Sequence, residues 1–147
     1  MARSGMKNIF LDSSTVIAAS ASKTGASAFI LGYSRQKKLK TFVSPEVLKE
    51  AQKNIRIKIG SLGYKRFLGY IKLGNILVVP SASFEEISLC ERYIDKKDAP
   101  ILAAFLTSPA DFIVTLDRKD FLKPQVIKFC QPKIVLTPGE FVKQYLR

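Results

Sequence analysis

Short apolar runs alternate with longer stretches of helical periodicity along the 147-residue chain. The runs are rich in the β-branched and aromatic residues that strands favour. They predict four strands and, at the end of the series, a fifth, at residues 9–11, 41–43, 76–79, 112–115 and 133–136. Between them, apolar residues recur at helical spacing, which predicts helices at residues 13–22, 24–35, 83–93 and 99–106, after Ser44, around residues 64–72 and after Thr137. This alternation predicts a three-layer α/β/α sandwich around a central parallel sheet of four or five strands.

Two helix starts have strong local signals. Ser44 is a favourable N-cap residue, and Pro45 suits the first helical position. Thr137, Pro138 and Glu140 have the pattern of a capping box, in which the first and last side chains each bond the other's backbone N–H. We therefore expect one helix to begin directly after each of the strands that precede these signals.

Length and composition predict a single domain over residues 1–147, because a chain of this size can bury a sizeable core and 47% of its residues are hydrophobic. No apolar run approaches the roughly 18 residues that cross a bilayer, and residues 1–7 do not resemble a signal peptide. We therefore expect a cytoplasmic protein without a membrane partner.

Cys90 and Cys130 lack the spacing of a zinc site and are expected to be core thiols, with a disulfide between them left open.

The chain contains no histidine. This absence excludes Ser-His and Cys-His nucleophilic mechanisms and a histidine general base. The sequence also lacks a glycine-rich phosphate loop and a dinucleotide-binding fingerprint. Any catalysis must therefore use carboxylates, Lys, Arg, hydroxyls, thiols or a bound metal.

The net charge of +12 is concentrated in the first part of the chain. Residues 1–84 hold 14 Lys and Arg against three acids, a net charge of +11, whereas residues 85–147 carry only +1. Such a surface favours a polyanionic partner, first of all nucleic acid, although a basic face without a partner is also consistent with it. Candidate contacts to a nucleic-acid backbone are Arg35, Lys37, Lys38, Lys40, Lys65 and Arg66.

Four carboxylates stand beside predicted strand ends or on helices that follow a strand, at Asp12, Glu50, Asp98 and Asp117. The carboxyl ends of parallel strands share one edge of the sheet, so these side chains can converge there. Clustered anions need a cation, and hard oxygen ligands suit Mg²⁺ or Mn²⁺. One or two such ions can activate water and stabilise a leaving oxygen on a phosphodiester.

Each acid also has a simpler interpretation. Asp12 and Asp98 could be plain helix N-caps, Asp117 could cap the turn that follows it, and Glu50 could pair with Lys53 on the same helix. Asp95 and Asp120 compete with Asp98 and Asp117 for the same roles. They rank lower because Asp95 lies further from the helix start and Asp120 further from the strand end.

Four segments, in order, resemble the motifs of one known family. Residues 10–17 resemble its opening motif with Asp12, residues 44–50 its second with Glu50, residues 95–104 its third with Asp98, and residues 110–121 its fourth with Asp117. Residues 136–141 resemble its closing segment. By these motifs the chain is similar to PIN-domain ribonucleases, and in particular to the toxins of VapC-type toxin–antitoxin pairs. Thr15 and Leu116 depart from the pattern, but neither is a candidate metal ligand.

The resemblance implies a metal-dependent ribonuclease in which the four acids hold one or two Mg²⁺ or Mn²⁺ ions, and it supports a hydrogen bond from Ser14 to a carboxylate or a bound water. It also implies a homodimer and an antitoxin partner. Two alternatives stay open, an RNA-binding module without cleavage activity and a metal-dependent phosphatase for small molecules. Ser14 counts against the phosphatase, because the usual aspartyl-phosphate motif has Asp at that place.

Overall fold

The computed structural model describes residues 5–146. Its strands are β1 Lys7–Leu11, β2 Leu39–Val43, β3 Ile76–Val78, β4 Phe112–Val114 and β5 Ile134–Leu136. They form one sheet in the order β3-β2-β1-β4-β5, and every neighbouring pair is parallel. All five predicted strands are confirmed.

Eight α-helices lie within the described residues: α1 Ser13–Ala21, α2 Ala26–Arg35, α3 Pro45–Asn54, α4 Ser61–Leu73, α5 Phe84–Cys90, α6 Ala99–Thr107, α7 Pro124–Cys130 and α8 Pro138–Phe141. A π-helical segment, Ile55–Ile59, continues α3, and a second, Val142–Leu146, continues α8. Helices α1, α2, α4 and α8 form one connected group of contacts, and α5 packs on α6. The predicted three-layer α/β/α architecture is confirmed.

The core lies where β1 meets its neighbours. Ile9, Phe10 and Leu11 are fully buried, as expected for a central parallel strand that is covered on both faces. Phe105 of α6 packs its ring 5.8 Å from that of Phe10. Edge strand β3 is different, because Leu77 stays about half exposed. Within residues 5–146 no helix is both long and apolar enough to cross a membrane.

Local signals explain most helix starts. The Ser44 hydroxyl accepts a hydrogen bond from the Val47 N–H at 3.2 Å, and the capping box at Thr137 is present. An unpredicted capping box at Ser83 opens α5. Helix α2 begins after Gly25 rather than at residue 24, because Gly25 has a φ of +98°, outside the helical region and accessible to glycine without strain.

Two further features differ from or complete the predictions. Helix α7 was not predicted, because its seven residues are too few to show helical periodicity. Cys90 and Cys130 are buried free thiols, and burial raises their pKa values to about 11 and about 12. The expectation of core thiols is therefore confirmed, without a disulfide between them.

The sheet is extended in opposite directions from β1, so the order of the strands reverses between β1 and β4. Strands β2 and β3 extend the sheet on one side of β1, whereas β4 and β5 extend it on the other. In open α/β sheets the crevice outside the carboxyl ends of the strands at such a reversal is the usual ligand site. Here that crevice is bounded by the residues that follow Leu11 and Val114.

Candidate metal and catalytic site

Asp12 and Thr115 stand side by side at this crevice because of the strand register. Leu11 pairs with Val114, so the next residue of each strand falls at the same level. The Asp12 N–H still donates to the Val114 carbonyl oxygen at 3.1 Å. The Asp12 side chain therefore leaves the sheet directly beside that of Thr115.

Asp12 is only 4% exposed, and hydroxyl groups hold its carboxylate. The Ser14 hydroxyl donates to its Oδ2 at 2.7 Å, and the Thr115 hydroxyl donates to the same oxygen at 2.8 Å. Burial raises the pKa of Asp12, the two hydroxyl donors oppose that rise, and the nearby charge of Glu50 adds to it. The predicted hydrogen bond from Ser14 to a carboxylate is present. Within residues 5–146 the Asp12 side chain makes no capping hydrogen bond to α1.

Glu50 reaches the same region from α3. Val47 and Ala51 bury the apolar side of that helix, and the Glu50 carboxylate accepts a hydrogen bond from the Ser13 hydroxyl at the start of α1. Among the described residues the ion pairs all involve Lys97 or Lys123, so Glu50 is not paired with Lys53. The simpler interpretation of Glu50 as half of a surface ion pair therefore does not apply.

Asp117 is joined to Asp12 through Thr115. The Asp117 N–H donates to the Thr115 hydroxyl oxygen at 3.0 Å, and the neighbouring Leu116 N–H donates to the Ser14 hydroxyl oxygen at 3.0 Å. Oδ1 of Asp117 accepts from the Asp120 N–H at 3.0 Å, so Asp117 does cap the turn that follows β4. This capping bond fixes the orientation of a carboxylate that is only half-buried.

Asp98 belongs to a second group of acids. Carboxylate oxygens of Asp95, Asp98 and Asp120 all lie within 4.8 Å of one another. Asp98 and Asp120 are buried, whereas Asp95 is exposed. Burial, a hydrogen bond with Asp120 and the charges of Asp120 and Asp117 together raise the pKa of Asp98 to about 7, and only Lys97 opposes them. Like Asp12, Asp98 makes no capping hydrogen bond within the described residues, although it immediately precedes a helix.

The structure thus places Asp95 and Asp120 in the group of converging carboxylates, although the sequence analysis ranked them below Asp98 and Asp117. Both contribute oxygens to the group around Asp98, whereas Asp117 acts on that group through its charge. Asp120 follows Asp117 by one turn, and a turn brings a residue back toward the point where the strand ended. Distance along the chain was therefore a poor guide to distance in space.

The sequence analysis missed four residues that contact the candidate acids: Ser13, Thr115, Lys97 and Lys123. The Lys97 ammonium lies 3.4 Å from Oδ2 of Asp98 and 3.9 Å from Oδ2 of Asp120, and that of Lys123 lies 4.0 Å from Oδ1 of Asp120. The position of Lys97 next to Asp98 in the sequence was an available signal. Thr115 could be found only through the strand register.

The six predicted RNA contacts fall in separate places. Lys37, Lys38 and Lys40 are exposed around the start of β2, at the opposite end of the sheet from the carboxylates. Arg35 and Arg66 line one cleft of about 370 Å³ between α2 and α4, where Arg66 donates to the Ser20 carbonyl oxygen at 3.0 Å. Lys65 is exposed on α4. The structure does not bring the Lys37–Lys40 group together with the acids.

The donor set fits a hard divalent cation. Its members are carboxylate oxygens and hydroxyls, the ligands and supporting groups that Mg²⁺ and Mn²⁺ prefer. Two of the acids in the Asp98 group are buried, and a nearby positive charge stabilises the ionised form of such acids. Asp98, Asp120 and Asp95 could hold such an ion, with Asp117, Asp12 and Glu50 along the same crevice.

Comparison with known proteins identifies the family and the fold. The family model described as PIN domain matches residues 8–119, and no curated protein sequence matches the chain. The fold is similar to that of VapBC2 from Rickettsia felis bound to a DNA fragment from their promoter, with a TM-score of 0.60 and 16% identity over 88% of this chain and 96% of the other.

Two further solved structures share the fold. PAE2754 from Pyrobaculum aerophilum is similar with a TM-score of 0.59 and 14% identity, over 96% of this chain and 91% of that one. VapC20 from Mycobacterium tuberculosis, described as a toxin that cleaves the sarcin-ricin loop, is similar with a TM-score of 0.53 and 14% identity, over 76% of this chain and 91% of that one.

Proposed function

This chain belongs to the PIN-domain family, and we propose that it is a metal-dependent endoribonuclease that hydrolyses RNA phosphodiester bonds. The observation that supports the proposal is that two groups of acids, one around Asp12 and one around Asp98, are linked through Asp117. The Thr115 hydroxyl donates to Oδ2 of Asp12 and accepts from the backbone N–H of Asp117, and the charge of Asp117 acts on Asp98. The choice of RNA is supported by the similarity to a toxin that cleaves the sarcin-ricin loop.

We assign Asp12, Asp98 and Asp117 as metal ligands, with Glu50 on the side of Asp12 and Asp120 and Asp95 on the side of Asp98. When bound, one or two Mg²⁺ or Mn²⁺ ions would activate water and stabilise negative charge on the phosphate oxygens. The protein's own residues prepare the site. Ser14 and Thr115 hold Oδ2 of Asp12, and Ser13 holds the Glu50 carboxylate.

The biological setting is part of the same proposal. Because the chain resembles VapC-type toxins in its motifs and shares the fold of VapC20, which is described as a toxin, we infer a toxin with an antitoxin partner, acting as a homodimer in the cytoplasm. Positive charge supports the binding of RNA, with Arg35, Lys65 and Arg66 on or beside the α2–α4 face and Lys37, Lys38 and Lys40 as more distant contacts for a long strand.

The experiment is an RNA cleavage assay with Mn²⁺ on four proteins: the wild type, Asp12→Asn, Asp117→Asn and, as a matched control, Asp111→Asn. Asp111 is an exposed acid at the other end of β4. We expect loss of at least about a hundredfold in rate for the first two variants, as is usual when a group that supports catalytic charge is removed, and near-normal activity for the control. Full activity of the wild type in EDTA would contradict the metal mechanism.

The same assay separates the alternatives. An RNA-binding module would bind RNA in Mn²⁺ without turnover. A small-molecule phosphatase would hydrolyse p-nitrophenyl phosphate and leave RNA intact. Either result would replace the proposal.

A further inference from the structure

Lys97 is the residue whose ammonium contacts two members of the Asp98 group. It approaches Asp98 at 3.4 Å and Asp120 at 3.9 Å, and the charge of Asp117 also acts on it. The side chain is 64% exposed, whereas the two carboxylates are 6% and 7% exposed. The ammonium therefore reaches two buried anions from the solvent side.

The local sequence explains this position. The backbone N–H groups of Asp98 and Ala99 both bond to the Asp95 carbonyl oxygen, at 2.9 and 3.1 Å, so residues 95–98 form a tight turn before α6. Lys97 lies at the exposed part of that turn, one residue before the buried Asp98. A long, flexible side chain at this point can extend over the acids or fold away from them.

We propose that Lys97 is a built-in counter-cation, which partly neutralises the charge of Asp98 and Asp120 in the metal-free protein and has to leave them when a divalent ion binds. Lys97 thereby sets the metal concentration at which the site becomes loaded. This inference rests on the proposed function, because it assumes that Asp98 and Asp120 are metal ligands.

The competition follows from the atoms involved. Lys97 contacts Oδ2 of Asp98 and Oδ2 of Asp120, and both residues also belong to the three acids whose oxygens converge. An ammonium and a divalent ion cannot share these oxygens at close range, since their charges repel. An ion pair with an exposed lysine is weak, so Lys97 can be displaced, but its displacement lowers the observed metal affinity.

Lys123 supplies a matched comparison within the site. Among residues 5–146 its ammonium makes one ion pair, with Asp120 at 4.0 Å, and none with Asp98. Its effect on metal binding should be in the same direction as that of Lys97 and smaller. Lys96 supplies a control outside the site, because it is an exposed lysine on the same turn and carries the same charge.

The test is the dissociation constant of Mn²⁺, measured by calorimetric titration or from the spin-resonance signal of free Mn²⁺. Lys97→Met should bind Mn²⁺ about tenfold more tightly than the wild type, because it removes a neighbouring positive charge and a competing ligand. Lys96→Met should stay within about twofold of the wild type, since an exposed charge away from the site is screened by solvent and salt. Lys97→Arg keeps the charge and should bind no more tightly than the wild type.

Thermal melting in EDTA at pH 8 gives a readout without metal. Lys97→Met should melt below the wild type, because Asp98 and Asp120 lose their counter-cation, and Lys96→Met should not. A melting temperature of Lys97→Met equal to or above that of the wild type would overturn the inference.

Asp98→Asn serves as the reference for a damaged site. If the wild type and the lysine variants bind Mn²⁺ equally well, and more tightly than Asp98→Asn, the metal site stands and the role of Lys97 is overturned. If all of them bind as poorly as Asp98→Asn, the proposed metal site fails and the inference fails with it.

Discussion

Replacing Asp98 by Asn should stabilise the metal-free protein even though it damages the proposed site. The pKa of Asp98 rises from its ordinary value of 3.8 to about 7 in the folded protein, first because of burial and then because of Asp120 and Asp117. The folded state therefore holds this proton more tightly than the unfolded chain. The stabilising contribution is complete below pH 3.8, declines as the pH rises, and is lost once the pH passes about 7.

The size of the effect follows from this rise in the pKa of Asp98. At about 1.36 kcal/mol per pKa unit, the rise corresponds to a penalty of at most about 4 kcal/mol for ionised Asp98 above pH 7. Asn resembles the protonated acid and avoids that penalty, but it gives up the ion pair with Lys97, worth about 0–1 kcal/mol. We expect Asp98→Asn to gain about 2–3 kcal/mol at pH 8, or roughly 5–10 °C in melting temperature for a chain of this length.

The assay is thermal unfolding followed by circular dichroism in EDTA at pH 4, 6 and 8. The difference between Asp98→Asn and the wild type should be small at pH 4 and should grow with pH. Asp111→Asn, the control with an exposed acid, should show no such growth. The reasoning would be refuted if Asp98→Asn melted no higher than the wild type at pH 8, or if its advantage were the same at all three pH values.

Three further predictions concern other parts of the molecule. Thr115→Val should lower RNA cleavage and cost about 1–3 kcal/mol in the free energy of unfolding, because it removes a donor to buried Asp12; urea unfolding and the cleavage assay measure both. Gly63→Ala should lower the melting temperature, because a methyl group there would press on Ile59 and on the backbone of α1, whereas Gly69→Ala in the same helix meets open space and should gain about 0.5–1 kcal/mol. Charge reversal of Lys37, Lys38 and Lys40 should reduce the slope of log affinity for long RNA against log salt by up to about 2. An unchanged slope would place the RNA elsewhere.

Periodicity predicted the sheet and most helices because the buried segments have simple patterns. Ile9 to Leu11 form an uninterrupted apolar run, and the helix after Ser44 has a clear cap and an apolar side. Helix α7 was missed because Val126 and Cys130 are the buried positions of a segment of only seven residues. The family prediction is confirmed by the match over residues 8–119.

The sequence predicted those parts of the candidate site that depend on neighbouring residues in the chain. It did not predict those that depend on strand register or on turns. Asp12 could be singled out because it ends an apolar strand, and Ser14 because it follows two residues later. The role of Thr115 depends on which residue at the end of β4 lies beside Asp12, and the pairing of β1 with β4 determines this. The contact between Asp98 and Asp120 depends on how two turns meet, and neither turn has a periodic pattern.

The pairing of β1 with β4 also has a consequence for the order of folding. Leu11 and Val114 are neighbours in the sheet although 102 residues separate them along the chain. Contacts between such distant segments form slowly, because the intervening loop must first close. A chain that ends before Phe112 contains Asp12 and Glu50 but lacks the strand that positions Thr115 and Asp117. Under the proposed function, such a fragment should therefore not cleave RNA, because it also lacks Asp120 of the Asp98 group.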